Sequence, residues 1–229
     1  MSALRTQKKA MRKGISSVLA SLPSTDIQEQ SLAITTQVIS SPLFQRSRTV
    51  SCYLSMPSGE VDTSSLVMEI LRTGKTLFVP KIDVTADGRM DFLKVYNEDD
   101  LNSLPSGKWG IKEPHYRHQG GQRANVLDSS AEQLDLILLP GVAFDRSFAR
   151  LGHGKGFYDR FIKTYTSAHG GRVPVLVALA LREQILEDGQ IPIGEHDWKM
   201  DVIVGPDGIL RGRSREADSF PQDDKRVAL

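Results

Sequence analysis

Residues 140–159 carry the side chains and spacing best suited to chemistry: Pro-Gly-Val-Ala-Phe-Asp-Arg-Ser-Phe-Ala-Arg-Leu-Gly-His-Gly-Lys-Gly-Phe-Tyr-Asp. Three glycines alternate within this segment: Gly152, Gly154 and Gly156. Such a backbone can adopt positive φ angles and bring its N–H groups close to an anion, and a helix beginning after the loop adds partial positive charge. Arg150 and Lys155 supply countercharge. The pattern favours a phosphate site, with a plain glycine-rich turn as the alternative.

The spacing of this loop differs from the two common phosphate-binding motifs. Phe157 occupies the third glycine position of the dinucleotide fingerprint, and Gly156 stands where Ser or Thr would follow the Lys of a Walker A loop. The chain also has no Gly-x-Ser-x-Gly elbow and no Cys-His candidate for nucleophilic catalysis. The chemistry indicated is therefore anion binding rather than covalent catalysis.

Two carboxylates are candidates for a metal site. Asp159 falls in the first turn of the predicted helix, and Asp197 belongs to the Gly-Glu-His-Asp-Trp stretch at 194–198. Mg²⁺ typically takes one or two carboxylates together with phosphate oxygens, which suits this pair. Asp159 could instead only complement the helix dipole, and His196 is interpreted as a surface or capping residue.

The N-terminal segment is basic and is predicted to form an amphipathic helix over residues 4–20. On a helical wheel, Lys8 and Arg12 fall within about 60° of Ile15, beside the apolar stripe, whereas Lys9 and Lys13 face solvent. Lys8 and Arg12 are placed to pair with an anion, although snorkelling is the alternative. The absence of acidic residues before position 26 is also typical of a mitochondrial transit peptide.

The remaining periodicity predicts an α/β fold. A second helix follows position 26, and strands are predicted at 49–55, 76–80, 134–139, 175–181 and 202–204, with helices at 63–72 and from 157. This alternation indicates a helix-covered, mainly parallel or mixed sheet in three α/β/α layers. Asp-Gly at 87–88 predicts a hairpin appended to the sheet, and 103–124 is predicted to be a mobile loop. We expect one domain over 1–210 and a disordered charged tail over 211–229.

The overall composition restricts the classes of function. The 229 residues are 39% hydrophobic and 25% charged, and no apolar run approaches the roughly 20 residues that span a bilayer. Twenty-nine basic and 28 acidic residues leave a net charge of +1, so no global field attracts nucleic acid or membranes. The single cysteine, Cys52, is expected to be a core thiol in a reducing compartment. We expect a cytoplasmic monomer, with mitochondrial import as the alternative.

The stretch Arg-Leu-Gly-x-Gly-x-Gly-aromatic-aromatic-Asp, preceded by Pro-Gly-x-x-Phe-Asp, resembles the signature of the 5-formyltetrahydrofolate cyclo-ligase family, also called methenyltetrahydrofolate synthetases. The resemblance covers residues 5 to 205. It includes the Lys-x-x-x-Arg helix, Tyr-Leu-Ser-Met followed by Glu60 and Thr63, Lys-Trp-Gly-Ile-Lys-Glu-Pro at 108–114 and Asp-Trp-Lys-Met-Asp at 197–201.

The resemblance implies a site. It assigns catalytic charge neutralisation to Arg12, Arg150 and Lys155, and Mg²⁺ binding to Asp159 and Asp197. The implied ATP-binding residues are these three catalytic residues and nine others: Lys8, Lys9, Leu151, Gly152, His153, Gly154, Gly156, Phe157 and Tyr158. The implied folate contacts are Leu54, Glu60, Trp109, His153, Gly154, Lys155, Gly156 and Phe157.

The implied activity is the ATP- and Mg²⁺-dependent conversion of 5-formyltetrahydrofolate, with or without a polyglutamate tail, to 5,10-methenyltetrahydrofolate. Two alternatives remain open: a folate-synthetase-like nucleotide- or RNA-binding module without ligase activity, and another sugar-phosphate- or nucleotide-binding enzyme that shares only the fold. The near-neutral charge and the absence of a recognition domain in the tail argue against the RNA-binding alternative.

Overall fold

The computed structural model of the chain describes residues 3–83, 88–107 and 110–212. The helices within these ranges are α1 (Ala3–Ala20), α2 (Ser24–Ser40), α3 (Pro42–Arg46), α4 (Ser64–Arg72), α5 (Glu98–Ser103) and α6 (Phe157–Ala168). The strands are β1 (Thr49–Cys52), β2 (Thr76–Asp83), β3 (Arg89–Val95), β4 (Arg117–His118), β5 (Gly121–Gln122), β6 (Leu136–Leu139), β7 (Ala143–Asp145), β8 (Arg150–Leu151), β9 (Val175–Leu179), β10 (Ile185–Leu186), β11 (Val202–Gly205) and β12 (Gly208–Arg211).

A seven-stranded sheet in the order β12-β11-β9-β6-β1-β2-β3 forms the centre of the molecule. The inner strands β11, β9, β6, β1 and β2 run parallel, and the edge strands β12 and β3 are antiparallel to their neighbours. All residues of β6 and β9 are buried, which explains why these strands are continuous apolar runs. The predicted mainly parallel, mixed sheet is confirmed.

Helices cover both faces of this sheet, as the alternation of side chains along β6 shows. Leu136 and Leu138 join a buried cluster with residues of α2 and α4. Ile137 and Leu139 join a second cluster with residues of α6. Because successive strand residues point to opposite faces, the two clusters are separate cores and the fold has three layers. Cys52 is a buried free thiol of the first cluster, as predicted, and burial raises its pKa.

The predicted hairpin is present at the edge of the sheet and is longer than the sequence indicated. The strand predicted at 76–80 continues through Asp83, and its whole length pairs with β3, from Leu77 opposite Val95 to Asp83 opposite Arg89. The pair is therefore the edge of the main sheet. Asp87 of the predicted turn lies outside the described residues.

Two further differences concern short strands. A small sheet of β10, β7 and β8 forms within and after the glycine-rich segment, where the sequence predicted only a loop. Strand β12 extends the main sheet through Arg211, where the sequence predicted the tail to begin, and residues 213–229 lie outside the described part of the chain. Strands of two to four residues are too short to show periodicity.

The described part of segment 103–124 is irregular except for the β4–β5 hairpin, but it is anchored to the domain. Arg123 forms two hydrogen bonds with the carboxylate of Asp100, at 2.6 and 2.8 Å, and both side chains are buried. Arg123 also donates to the carbonyl oxygens of Lys94 and His115. Among the described residues, no helix is long and apolar enough to cross a membrane.

The topology places a crevice between β1 and β6. The chain leaves β1 towards β2 and β3 on one side and later returns to β6 and β9 on the other side. In open α/β sheets, ligands bind at the carboxyl ends of strands where the order reverses in this way. The segments that follow β1 and β6 are therefore the expected walls of a site.

Candidate active site

A cavity of about 360 Å³ opens at this crevice. Leu54, Met56 and Glu60, which follow β1, line one side of it, and Pro140 and Arg150 line the other. Pocket walls that are mostly apolar with a few polar groups are typical of small-molecule sites. The volume is within the range of pockets that hold a flat heterocycle.

The side chain of Arg150 is the central cation of the cavity wall. It extends from β8, is 5% exposed, and lies 2.8 Å from Asp159 Oδ2 through Nη2. Its guanidinium carbon lies 5.5 Å from the ring centre of Tyr158. The buried Nε–H has no acceptor among the described residues, and an unsatisfied buried donor is costly.

The glycine loop allows two arginines to pack against its backbone. A Cβ at Gly152 would lie 2.9 Å from Arg150 Nη1, and a Cβ at Gly154 would lie 3.2 Å from Arg12 Cζ. Gly154 and Gly156 have φ angles of +91° and +65°, as the pattern predicted, whereas Gly152 does not have a positive φ. Gly156 immediately precedes α6, so the helix N-terminus faces the loop.

Helix α1 places two of its predicted side chains in the site. Arg12 Nε donates to the carbonyl oxygen of Gly152 at 2.6 Å, and Lys8 Nζ donates to Asp197 Oδ2. Met11 and Ile15 pack against the cluster that contains Leu151. Lys8 and Arg12 are therefore not snorkelling to solvent, whereas Lys9 is exposed and makes no described contact with the site.

Backbone N–H groups fix each of the two predicted metal carboxylates. The N–H of Trp198 donates to Asp159 Oδ1 at 3.1 Å, and the N–H of Gly194 donates to Asp197 Oδ2 at 2.6 Å. Within the described ranges, no three His, Cys, Asp or Glu side chains are grouped as a metal site. Two carboxylates of this kind could hold Mg²⁺, which typically completes its coordination with phosphate oxygens and water.

The remaining predicted residues divide into three groups. Leu54, Glu60, His153, Lys155, Gly156, Phe157 and Tyr158 line the cavity. Leu151 is fully buried in a core cluster, so its side chain cannot contact a ligand. Trp109 lies outside the described residues.

Two titratable side chains of the cavity have shifted pKa values. Glu60 is 6% exposed, and burial raises its pKa to about 7 although the Met56 N–H donates to Oε1 at 2.5 Å. Desolvation, together with Arg150 and Arg12, lowers the pKa of His153. The cavity can therefore present a neutral imidazole, and near neutral pH it presents a carboxyl group that is partly protonated.

Two residues that position the site were not singled out from the sequence. Buried Asp145 accepts hydrogen bonds from the N–H groups of Ser147, Ala149 and Ile191, which fixes the turn before Arg150. Gln184 Nε2 donates to the carbonyl oxygen of Gly141 at 2.6 Å, in the segment that follows β6. The Asp-x-Ser order at 145–147 is a signal for such a turn, whereas Gln184 has no sequence signal.

Fold and site together define an α/β protein with a glycine-rich loop beside a cavity at the switch point of the sheet. The sequence profile of the 5-formyltetrahydrofolate cyclo-ligase family matches residues 4–206. The chain belongs to this family, and it is therefore a ligase, as predicted.

Individual relatives agree with this assignment. The chain is 36% identical to a probable 5-formyltetrahydrofolate cyclo-ligase of Caenorhabditis elegans, over 89% of this chain and 95% of the relative. It is also 36% identical to the mitochondrial 5-formyltetrahydrofolate cyclo-ligase of Arabidopsis thaliana, over 93% of this chain and 79% of the relative. The solved structure of Aquifex aeolicus 5,10-methenyltetrahydrofolate synthetase matches with a TM-score of 0.70 and 30% identity, over 96% of this chain and 99% of the other.

Proposed function

We propose that the chain converts 5-formyltetrahydrofolate to 5,10-methenyltetrahydrofolate at the expense of ATP, releasing ADP and phosphate. The observation that carries this proposal is the set of three cations, Arg12, Arg150 and Lys155, around the glycine loop beside the cavity. A transferred phosphoryl group would find its charge compensation in these side chains. The cavity beside it has room for the reacting end of a reduced folate.

The reaction needs ATP because the formyl oxygen at N5 is a poor leaving group. Transfer of the γ-phosphoryl group to that oxygen forms an O–P bond and releases ADP. N10 then attacks the formyl carbon, the C–O bond breaks as phosphate departs, and N10 loses its proton. Catalysis of such a transfer rests on positioning and charge stabilisation, so no side-chain nucleophile is required.

The chain's own cations suit this task. Arg150 approaches from β8, Arg12 lies against the glycine loop, and Lys155 extends from the loop itself. Together they would offset the charge on the γ-phosphoryl group. In a partly closed cavity, these positioned cations take over the charge stabilisation that bulk water provides in solution. Because the basic residues Lys8 and Arg12 point into the site, they do not form an exposed patch for nucleic acid.

We assign Mg²⁺ to Asp159 and Asp197, whose carboxylates are held by the N–H groups of Trp198 and Gly194. When bound, Mg²⁺ would neutralise phosphate oxygens. On the folate side, Leu54, Glu60 and Phe157 supply apolar wall and one carboxyl group, and Trp109 is proposed to cover the heterocycle.

The cysteine content and the charge balance suggest the cellular setting. A single buried thiol suits a reducing compartment, and we propose a cytoplasmic monomer of one domain that binds neither nucleic acid nor membranes. The named mitochondrial location of the Arabidopsis thaliana relative makes import of this chain an alternative. Removal of α1 as a transit peptide would remove Lys8 and Arg12 from the site.

Incubation of the protein with 5-formyltetrahydrofolate, ATP and Mg²⁺ tests the proposal. We expect methenyltetrahydrofolate to accumulate, as followed by its near-ultraviolet absorbance, with one ADP released for each product formed. Omission of ATP should abolish the product. Nucleotide binding without ring closure would instead support the nucleotide-binding module.

A further inference from the structure

Each proposed metal carboxylate forms an ion pair with a proposed phosphate-binding cation. Lys8 Nζ contacts Asp197 Oδ2, and Arg150 Nη2 lies 2.8 Å from Asp159 Oδ2. The four side chains are 13%, 28%, 5% and 19% exposed, respectively. Because these side chains are largely shielded from water, the charges within each pair interact more strongly than those of exposed surface pairs.

These pairs set the cost of binding either ligand alone. A triphosphate that recruits Lys8 leaves the carboxylate of Asp197 without its direct ion-pair partner in a partly dehydrated position, with only the more distant charge of Arg12 near it. A divalent cation that recruits Asp159 likewise leaves the buried guanidinium of Arg150 unpaired. Leaving one partner of a buried ion pair without its counterion is strongly unfavourable. Arrival of both ligands replaces each broken pair with two new ones.

We propose that the triphosphate and the divalent cation bind by exchanging ion-pair partners with Lys8–Asp197 and Arg150–Asp159. The charges of the ligand-free site thus weaken the binding of either ligand alone. This inference rests on the proposed ATP and Mg²⁺ sites and adds the way in which they are coupled. Because binding coupling is reciprocal, each ligand raises the affinity of the site for the other by the same factor.

Backbone hydrogen bonds allow the exchange without movement of the carboxylates. Asp159 Oδ1 accepts from the Trp198 N–H at 3.1 Å, and Asp197 accepts from the Gly194 N–H at 2.6 Å. These contacts remain when the side-chain cations leave. The Arg12 bond to the Gly152 carbonyl, at 2.6 Å, similarly keeps α1 at the loop while Lys8 changes partner.

The test uses ATP without metal. In Asp197→Asn the amide oxygen still accepts from Gly194, but Lys8 loses its counterion and becomes available to phosphate. We expect this variant to bind ATP in excess EDTA roughly fivefold to tenfold more tightly than wild type, by titration calorimetry. The gain in ATP affinity on addition of Mg²⁺ should shrink. Asp159→Asn should behave in the same way through Arg150.

Two comparisons separate partner exchange from a general loss of negative charge. In a Lys8→Met background, Asp197→Asn should give a markedly smaller gain in metal-free ATP affinity, because the released ion-pair partner is absent and only the longer-range attraction to Arg12 is removed. Asp207→Asn makes the same charge change in the exposed pair with Arg182, whose atoms lie 2.7 Å apart, and should leave ATP affinity unchanged. Circular dichroism confirms that each variant is folded.

The outcomes are distinct. Equal gains with and without Lys8, or no gain from Asp197→Asn, would overturn the exchange while wild-type cyclisation of 5-formyltetrahydrofolate still supported the proposed function. A wild-type protein that bound no ATP, even with Mg²⁺, would overturn both.

Discussion

Arg12 in the third turn of α1 donates from Nε to the carbonyl oxygen of Gly152, at 2.6 Å, across 140 positions of the chain. Burial lowers the pKa of Arg12, although Asp197 acts in the opposite direction, and the guanidinium remains charged at neutral pH. The first helix is therefore part of the glycine-loop site. It is not simply a cover for the sheet.

We predict that Arg12→Met lowers the affinity for ATP in the presence of Mg²⁺ by about tenfold or more, since a charge-assisted contact to phosphate is worth roughly 1.5–3 kcal/mol. Deletion of residues 1–13 should have at least the same effect and leave much of the sheet intact. Lys13→Met, at an exposed position of the same helix, is the control. Unchanged nucleotide affinity in folded Arg12→Met would reduce α1 to a packing or targeting role.

We predict that Asp159→Asn raises the Mg²⁺ concentration needed for half-maximal turnover, because one of two proposed carboxylate ligands is lost. A titration of activity with Mg²⁺ at saturating ATP measures this requirement. Glu195→Gln, which removes a carboxylate at an exposed position near Asp197, should leave the requirement unchanged. An Asp159→Asn enzyme with the wild-type requirement would remove Asp159 from the metal site.

The fold was predictable where a periodic pattern was long. Leu136–Leu139 and Val175–Leu179 are buried on both sides and form unbroken apolar runs, and α1 was recognisable from its apolar stripe. The short strands β7, β8, β10 and β12 were not, because two to four residues do not define a period. Their pairing depends on partners distant in the chain.

The position of the candidate site was predictable where residue types form a local pattern. Alternating glycines between arginine and lysine indicated the loop, and the helical wheel indicated Lys8 and Arg12, both of which the structure places at it. Gln184, which holds the Gly141 carbonyl, was not predictable, because a buried glutamine has no local pattern. The ion pair of Arg150 with Asp159 was not predictable either, because it depends on tertiary structure.

We predict that truncation after Gly212 leaves activity and stability unchanged. The sequence placed the tail boundary at Arg211, but Arg211 pairs with Val202 across β12 and β11, so a cut after Leu210 would shorten that edge strand. Eight of the 17 residues from 213 onward are charged, and only three, Phe220, Val227 and Leu229, are large and apolar. The check is turnover and thermal melting of the two truncations side by side. Lost activity in a folded chain ending at Gly212 would assign the tail a role.

We predict a pH-dependent loss of stability that arises from Glu60. Burial raises its pKa from 4.5 to about 7, so the folded state binds the proton more tightly than the unfolded state. Its contribution is therefore fully present below pH 4.5 and is lost as pH rises to about 7. The shift corresponds to about 3 kcal/mol.

Urea unfolding of wild type and Glu60→Gln at several pH values isolates this contribution. The glutamine can still accept from the Met56 N–H but does not titrate. The stability of wild type relative to the variant should fall by about 3 kcal/mol between pH 4 and pH 8. A difference that does not change with pH would mean that Glu60 has an ordinary pKa.

We predict that Lys155→Ala separates catalysis from folding. Lys155 lies inside the glycine loop, is exposed and lines the cavity, so its removal should change stability by no more than about 0.5 kcal/mol. Loss of a charge-assisted contact to the transferring phosphoryl group costs about 1.5–3 kcal/mol in the transition state, or roughly ten- to more than hundred-fold in kcat/KM. Lys163→Ala, an exposed lysine of α6, is the matched control and should turn over like wild type. Full activity of Lys155→Ala at limiting ATP would show that the phosphates bind elsewhere.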